Sequence, residues 1–126
     1  MRLLAIFAAF VFATFAMTAD NAEARKRFST SPSCLPKALK SRLSEIRRKF
    51  GRIKIISTYR RGARMPNGRP SKHGSCRAVD FKVRNKKKVY AWLNRIHRGG
   101  VGLYYGKCSH IHIDNGMKLR WIKRGC

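Results

Sequence analysis

Histidine and aspartate, which are common zinc ligands in proteins, are concentrated in two short segments of this chain. The segment from Ser71 to Phe81 contains His73 and Asp80, and the second segment reads His110-Ile111-His112-Ile113-Asp114. Three of the four histidines lie there. A catalytic zinc site uses three protein ligands and leaves one position open. We expect His73, Asp80 and His112 to be those ligands.

The second segment alternates polar and apolar residues. Side chains alternate between the two faces of a strand, so His110, His112 and Asp114 would share one face. A zinc ion lowers the pKa of water and polarises carbonyls, which is chemistry that hydrolyses amides. Because no glutamate lies in either segment, we expect His110 to be the base. We expect Asp114 and Ser71 to orient the ligands through hydrogen bonds.

The same residues also have a purely structural interpretation. His110 and His112 would then lie on a half-exposed strand, and Asp80 would face a turn. The spacing of these residues alone does not decide between metal binding and a structural role, because short motifs often occur by chance. His97, at a predicted helix end, is expected to interact favourably with the helix dipole rather than to bind metal.

The first 24 residues are typical of an export signal. Arg2 precedes an apolar run from Leu3 to Met17, and Ala22-Glu23-Ala24 fits a cleavage site. The run is shorter than the ~20 residues of a membrane-spanning helix. We therefore predict a protein exported to the periplasm or the extracellular space. The remainder of the chain, about 100 residues, is enough for one small domain.

Four cysteines lie beyond the predicted signal: Cys34, Cys76, Cys108 and Cys126. An even number in a small exported chain predicts two disulfides rather than metal ligation. A hairpin predicted at Asn115-Gly116 would bring Cys108 towards Cys126, which leaves Cys34 for Cys76. The alternative, Cys76 with Cys108, would join the two motif strands directly.

The charge of the chain predicts anionic partners. Lys and Arg number 30 against 5 Asp and Glu, for a formal net charge of +25. Beyond residue 24 the acids are only Glu45, Asp80 and Asp114. Anionic cell-envelope polymers or lipid head groups would be attracted, and salt would weaken the attraction. The export signal and the lack of a nucleic-acid module argue against nucleic acid. We expect a monomer.

Hydrophobic periodicity and turn residues predict the elements. Residues 25–33 form a flexible basic lead-in. The predicted elements are a helix over 35–50, a strand over 53–57, a long loop over 58–72, a strand over 77–83, a helix over 89–96, and strands over 101–105, 109–114 and 117–122.

Several motifs together resemble a known family. They are Ile56-Ser57-Thr58-Tyr59-Arg60, Ser71-Lys72-His73, Cys76-Arg77-Ala78-Val79-Asp80-Phe81, Gly99-Gly100-Val101-Gly102-Leu103-Tyr104-Tyr105 and His112-Ile113-Asp114-Asn115-Gly116, followed by Arg120-Trp121. In order and spacing, from about Cys34 to Trp121, they resemble the zinc murein peptidases of the D-Ala-D-Ala metallopeptidase superfamily, the hedgehog-like peptidase M15 group.

The resemblance implies a single α+β domain over residues 34–126, with a central antiparallel sheet flanked by helices. It implies one Zn2+ held by His73, Asp80 and His112, and cleavage of amide bonds in peptidoglycan peptides. Arg60 matches an arginine thought to contact the substrate carboxylate or the reacting carbonyl, and a guanidinium fork suits that role.

The chain departs from the family at one position. Many members have a glutamate base three residues before the last histidine, where this chain has Ser109. His110 instead resembles the first histidine of the His-x-His motif in lysostaphin-type relatives. Three hypotheses remain open. The first is a murein endopeptidase or D,D-/L,D-carboxypeptidase, and the second is a catalytically lapsed cationic cell-wall-binding protein of the same fold. The third is a cationic protein that acts on nucleic acid or membranes through its basic charge.

Overall fold

A mixed sheet forms the centre of the protein, in a computed structural model that describes residues 27–125. Within that range the strands are β1 (Phe28–Ser29), β2 (Ile53–Ser57), β3 (Tyr59–Arg60), β4 (Ala78–Val83), β5 (Val101–Tyr105), β6 (His110–Asp114) and β7 (Arg120–Arg124), and the α-helices are α1 (Lys37–Phe50) and α2 (Lys86–Ile96). The main sheet has the order β2-β4-β6-β5-β7. Its neighbouring strands are antiparallel except for the parallel pair β5–β7. The fold is α+β, as predicted.

One face of the sheet is apolar and carries both helices. Val79 and Phe81 of β4 and Ile113 of β6 are completely buried there. Both helices contribute to the same core cluster, α1 through leucines and an isoleucine spaced three or four residues apart, and α2 through Val89 and Leu93. Because strand side chains alternate, the polar residues of β4 and β6 must lie on the opposite face.

The predicted hairpin at Asn115-Gly116 is wrong. Strand β6 is already paired on both sides, with β4 and with β5. The chain therefore passes beyond β5, and β7 pairs parallel to β5 at the edge of the sheet. Instead of forming a hairpin turn, Gly116 contacts Asp114, because its N–H donates to the Asp114 carboxylate at 2.7 Å.

A disulfide joins Cys34 to Cys76, the first of the predicted pairings. The alternative bridge from Cys76 to Cys108 is therefore wrong. Cys108 is not a free thiol, and its predicted partner, Cys126, lies outside the described residues.

Strand β1 lies within residues 25–33, the predicted flexible lead-in. Strand β1 pairs with β3, which lies inside the segment predicted as a long loop. The Thr58 hydroxyl donates to the carbonyl oxygens of Ser29 and Ser31, at 3.0 and 2.8 Å. A local sequence pattern could not predict these contacts, because Thr58 lies almost thirty residues from Ser29 and Ser31 in the chain.

Residues 1–24, predicted to be the export signal, lie outside the described residues. Within residues 27–125, none of the helices is long and apolar enough to cross a membrane.

Candidate metal centre

His73, Asp80 and His112 meet on the polar face of the sheet. Asp80 and His112 are direct cross-strand partners of β4 and β6, so their side chains lie side by side. His73 lies in the 3-10 turn Lys72–Ser75 and approaches them from the loop. Ser71 caps this turn, because its hydroxyl accepts a hydrogen bond from the His73 N–H at 3.3 Å. The three side chains, each largely buried, bring their ligand atoms within 4.8 Å of one another.

The spacing of these ligand atoms fits zinc. Bonds of 2.0–2.1 Å in a tetrahedral site place neighbouring ligand atoms about 3.3 Å apart. His73 Nε2 lies 3.2 Å from Asp80 Oδ2 and 3.3 Å from His112 Nδ1. His112 Nδ1 lies 2.8 Å from Asp80 Oδ1.

The outer hydrogen bonds of both imidazoles set their tautomers for metal binding. His73 Nδ1 donates to the carbonyl oxygen of Thr58 at 3.2 Å. His112 Nε2 donates to Asp114 Oδ2 at 3.0 Å. In the neutral rings, the two remaining nitrogens then direct lone pairs towards each other and towards a carboxylate. Such a donor set requires a cation between its members, either a proton or a metal ion.

The pKa shifts of Asp80 and His112 also indicate that the site favours a bound cation. Burial of Asp80 raises its pKa, but hydrogen bonds from His112 and His73 outweigh this and hold the pKa well below its usual range. Burial of His112 lowers its pKa, but the carboxylates of Asp114 and Asp80 outweigh this and raise it to about 8. A proton and a metal ion therefore compete for the same nitrogen of His112.

Asp114 is held rigidly behind His112. Its Oδ1 accepts hydrogen bonds from the Gly100 and Gly116 N–H groups at 3.0 and 2.7 Å. A Cβ on Gly100 would lie 2.4 Å from the carboxylate, so only glycine allows this approach. Burial raises the pKa of Asp114, but the hydrogen bonds, chiefly from His112, outweigh it and lower the pKa to about 2. Asp114 is thus placed where its predicted orienting role requires.

His110 lies beside His73, Asp80 and His112, outside the group of side chains that could hold a metal ion together. Its Nδ1 donates to the carbonyl oxygen of Cys108, which leaves Nε2 unprotonated in the neutral ring. Nε2 lies 3.7 Å from Asp80 Oδ1. Burial lowers the pKa of His110, and the nearby Asp80 charge only partly opposes this. His110 is therefore neutral near pH 7, in the form that accepts a proton.

Arg60 lies at the edge of the same site. Its Nη2 is 3.5 Å from Asp80 Oδ2, while about half of its side chain is exposed. One side of the guanidinium therefore faces the site, and the exposed part remains available to a bound molecule.

Ser109, at the position of the family glutamate, is bonded away from the metal ligands. Its hydroxyl accepts a hydrogen bond from Lys86 Nζ, which also donates to the carbonyl oxygen of Tyr104 at 3.0 Å. A hydroxyl held by an ammonium group is poorly suited to accept a further proton.

The role predicted for His97 is wrong. The ring is buried, and its Nε2 donates to the carbonyl oxygen of Asp114 at 2.8 Å. Burial is the main cause that lowers its pKa, so it is neutral near pH 7 rather than a charged partner of the helix dipole. It helps to hold the strand end that carries Asp114.

A cleft of about 500 Å³ opens above the site. Basic side chains line it, namely Arg60, Arg64, Lys72 and Lys123. Apolar and aromatic side chains complete the lining, among them Met65, Leu119, Tyr104 and Trp121. The lining therefore combines positive charge with apolar surface.

Tyr104 and Trp121 are two cleft residues for which the sequence alone predicted no role. Trp121 Nε1 donates to the Tyr104 hydroxyl at 3.0 Å, and the Trp121 ring lies 5.3 Å from the His112 ring. The alternation of β5 was the available signal, since Gly102 and Tyr104 fall on the face of the histidines. The parallel pairing of β7 with β5 places Trp121 opposite Gly102. No local sequence pattern predicted this pairing.

The fold is a small α+β domain whose polar sheet face carries a group of side chains that could hold a metal ion. Residues 10–114 match the family Peptidase M15, and the chain therefore belongs to that family. The comparison with curated proteins found no match. The comparison with solved structures found none either.

Proposed function

We propose that this protein is a zinc-dependent hydrolase that cleaves amide bonds in peptidoglycan peptides. The observation that carries the proposal is the convergence of two imidazole lone pairs and one carboxylate at zinc spacing. Membership of the peptidase M15 family supports peptide-bond hydrolysis. When bound by His73, Asp80 and His112, zinc would polarise the scissile carbonyl and favour deprotonation of water.

The residues around the site supply the proton transfers. Nε2 of His110 would take a proton from the attacking water as the new C–O bond forms. It would then give that proton to the amide nitrogen as the C–N bond breaks. Arg60 would hold a substrate carboxylate with the part of its guanidinium that Asp80 does not use.

The basic lining of the cleft supports an anionic peptide as substrate. The net charge of +25 further supports attraction to anionic cell-envelope polymers. We propose that the protein acts as a monomer after export, in the periplasm or outside the cell, where such polymers lie.

Two histidine variants test the proposal. His112→Ala should lose both zinc and the cleavage of muropeptides. His110→Ala should retain one zinc per chain but lose about 10²- to 10⁴-fold in rate, as expected for a missing general base. Metal analysis and mass spectrometry of digested muropeptides measure both results. Full activity of the metal-free wild type would contradict the proposal.

The hydrogen bond between Ser109 and Lys86 favours a second candidate, a cationic wall-binding protein without catalysis. If this candidate is correct, the protein binds isolated sacculi in a salt-sensitive manner. Zinc-loaded protein at high concentration would then release no peptide fragments from them. The appearance of new peptide ends would exclude this candidate.

A further inference from the structure

The hydroxyl of Tyr104 is held on the face of the sheet that carries the metal ligands. In the register of β5 and β6, Tyr104 lies opposite His110 and Gly102 lies opposite His112. The Tyr104 ring stacks on the His110 ring, with centroids 4.2 Å apart and planes inclined by 13°. Tyr104 therefore borders both the predicted base and the cleft.

Trp121 fixes the position of this hydroxyl. Its indole N–H donates to the Tyr104 oxygen at 3.0 Å. The indole can reach it because residue 102 is glycine: a Cβ there would lie 2.3 Å from the Trp121 ring. The hydroxyl is thus an acceptor for Trp121, and within residues 27–125 no acceptor takes its own proton at hydrogen-bond distance. A phenol in this state is prepared to donate into the cleft.

A neutral donor is well suited to this place. Amide hydrolysis puts negative charge on the carbonyl oxygen, and donors directed at that oxygen lower the barrier. A phenol can donate without bringing a further positive charge to a site that already attracts a cation. Arg60, a cationic donor in the same cleft, already contacts Asp80 at 3.5 Å.

We propose that Tyr104 is a catalytic residue whose O–H donates a hydrogen bond to the substrate carbonyl oxygen as this oxygen becomes negative. The phenol keeps its proton throughout, so no bond to Tyr104 forms or breaks. Trp121 is the positioning residue that directs the hydroxyl. The inference rests on the proposed function, because it names a further donor for the same reaction.

Tyr104→Phe is the decisive variant, because it retains the ring that stacks on His110 and removes only the hydroxyl. With soluble muropeptides from a muramidase digest, we expect kcat to fall about 10²-fold with little change in KM. Zinc content and thermal unfolding should match the wild type. Trp121→Phe should give a smaller loss in kcat, since the hydroxyl remains but is no longer directed.

The matched control is Tyr105→Phe. Tyr105 is the next residue in β5, and its ring faces Lys86 and Arg124 instead of the cleft. We expect this variant to retain the wild-type kcat. The pair Tyr104→Phe and Tyr105→Phe thus compares two losses of one phenolic hydroxyl, one inside and one outside the cleft.

A binding measurement adds a readout that does not depend on turnover. The phosphinate analogue of D-alanyl-D-alanine carries tetrahedral oxygens that mimic the attacked carbonyl. Calorimetric titration of the zinc-loaded proteins should show weaker binding to Tyr104→Phe, by at least tenfold, and unchanged binding to Tyr105→Phe. Equal rates and equal phosphinate affinities of Tyr104→Phe and an active wild type would overturn the role of Tyr104 alone. An inactive zinc-loaded wild type would overturn the proposed function, and this inference with it.

Discussion

Replacement of Asp114 by asparagine should weaken zinc binding, although Asp114 is not one of the three proposed ligands. Asp114 Oδ2 accepts the His112 Nε2–H, while Oδ1 accepts two backbone N–H groups. An asparagine has only one oxygen for these two places. If that oxygen faced His112, the amide group would meet the N–H groups of Gly100 and Gly116, and each lost hydrogen bond would cost about 1–3 kcal/mol.

The asparagine should therefore direct its oxygen to the glycines and its amide group to His112. Nε2 would then accept a hydrogen bond, which moves the ring proton to Nδ1, the nitrogen that faces the metal site. Loss of such an outer partner typically costs 10- to 100-fold in metal affinity, or about 1.4–2.8 kcal/mol. We expect the upper end of that range, since both the negative charge and the tautomer are lost.

Competition with a chromophoric zinc chelator at pH 7.5 measures this affinity. Glu45→Gln is the matched control, because it removes one carboxylate charge from a salt bridge with Arg42 on α1. Its zinc affinity should stay within about twofold of the wild type, as expected for a surface pair. Equal affinities of Asp114→Asn and the wild type would refute the tautomer argument. An equal loss in both variants would show that only the overall charge matters.

Three further predictions concern stability. Gly102→Ala should lower the free energy of unfolding by about 1–3 kcal/mol, because its Cβ would overlap the Trp121 ring. The control is Gly74→Ala, whose Cβ would have ordinary contacts at 3.7–3.8 Å. Equal urea midpoints of the two variants would contradict the prediction. Replacement of both Cys34 and Cys76 by serine opens a loop with a sequence separation of 42. The chain-entropy relation predicts that the free energy of unfolding falls by about 4 kcal/mol. An unchanged free energy of unfolding in urea would contradict this prediction. In metal-free protein, the raised pKa of His112, about 8, contributes about 2 kcal/mol to the free energy of unfolding. This contribution is fully present below pH ~6.5 and is lost as the pH rises through about 8. Thermal unfolding between pH ~6 and ~9 should show this loss in the wild type and not in His112→Asn, and parallel curves for the two proteins would exclude the contribution.

Local patterns in the sequence predicted most of the elements. Leucines and isoleucines at steps of three or four indicated α1, and the β-branched run at Ile53–Ser57 indicated β2. The alternation in β4 and β6 correctly separated the apolar core from the polar face. These predictions succeeded because each depends on residues that are close in the chain and on a fixed period of side-chain direction.

The errors arose where long-range pairing overrides a local signal. Asn115-Gly116 is a strong hairpin sequence, yet both edges of β6 were already occupied by β4 and β5. The lead-in carries no periodicity, yet it pairs with β3 through backbone groups that any sequence supplies. His97 stands at a helix end, but the packing of α2 against the sheet buries it.

For the candidate metal centre, the sequence by itself determined the types of the residues that could bind a metal ion and, for Asp80 and His112, the face of the strand on which each lies. Tertiary structure decided that Asp80 and His112 are direct cross-strand partners, that Thr58 and Asp114 set the tautomers, and that Trp121 holds the Tyr104 hydroxyl. The physical reason is that side-chain direction is set by local backbone geometry. Distances between ligand atoms depend on strand register and strand order, which only the whole packed chain determines.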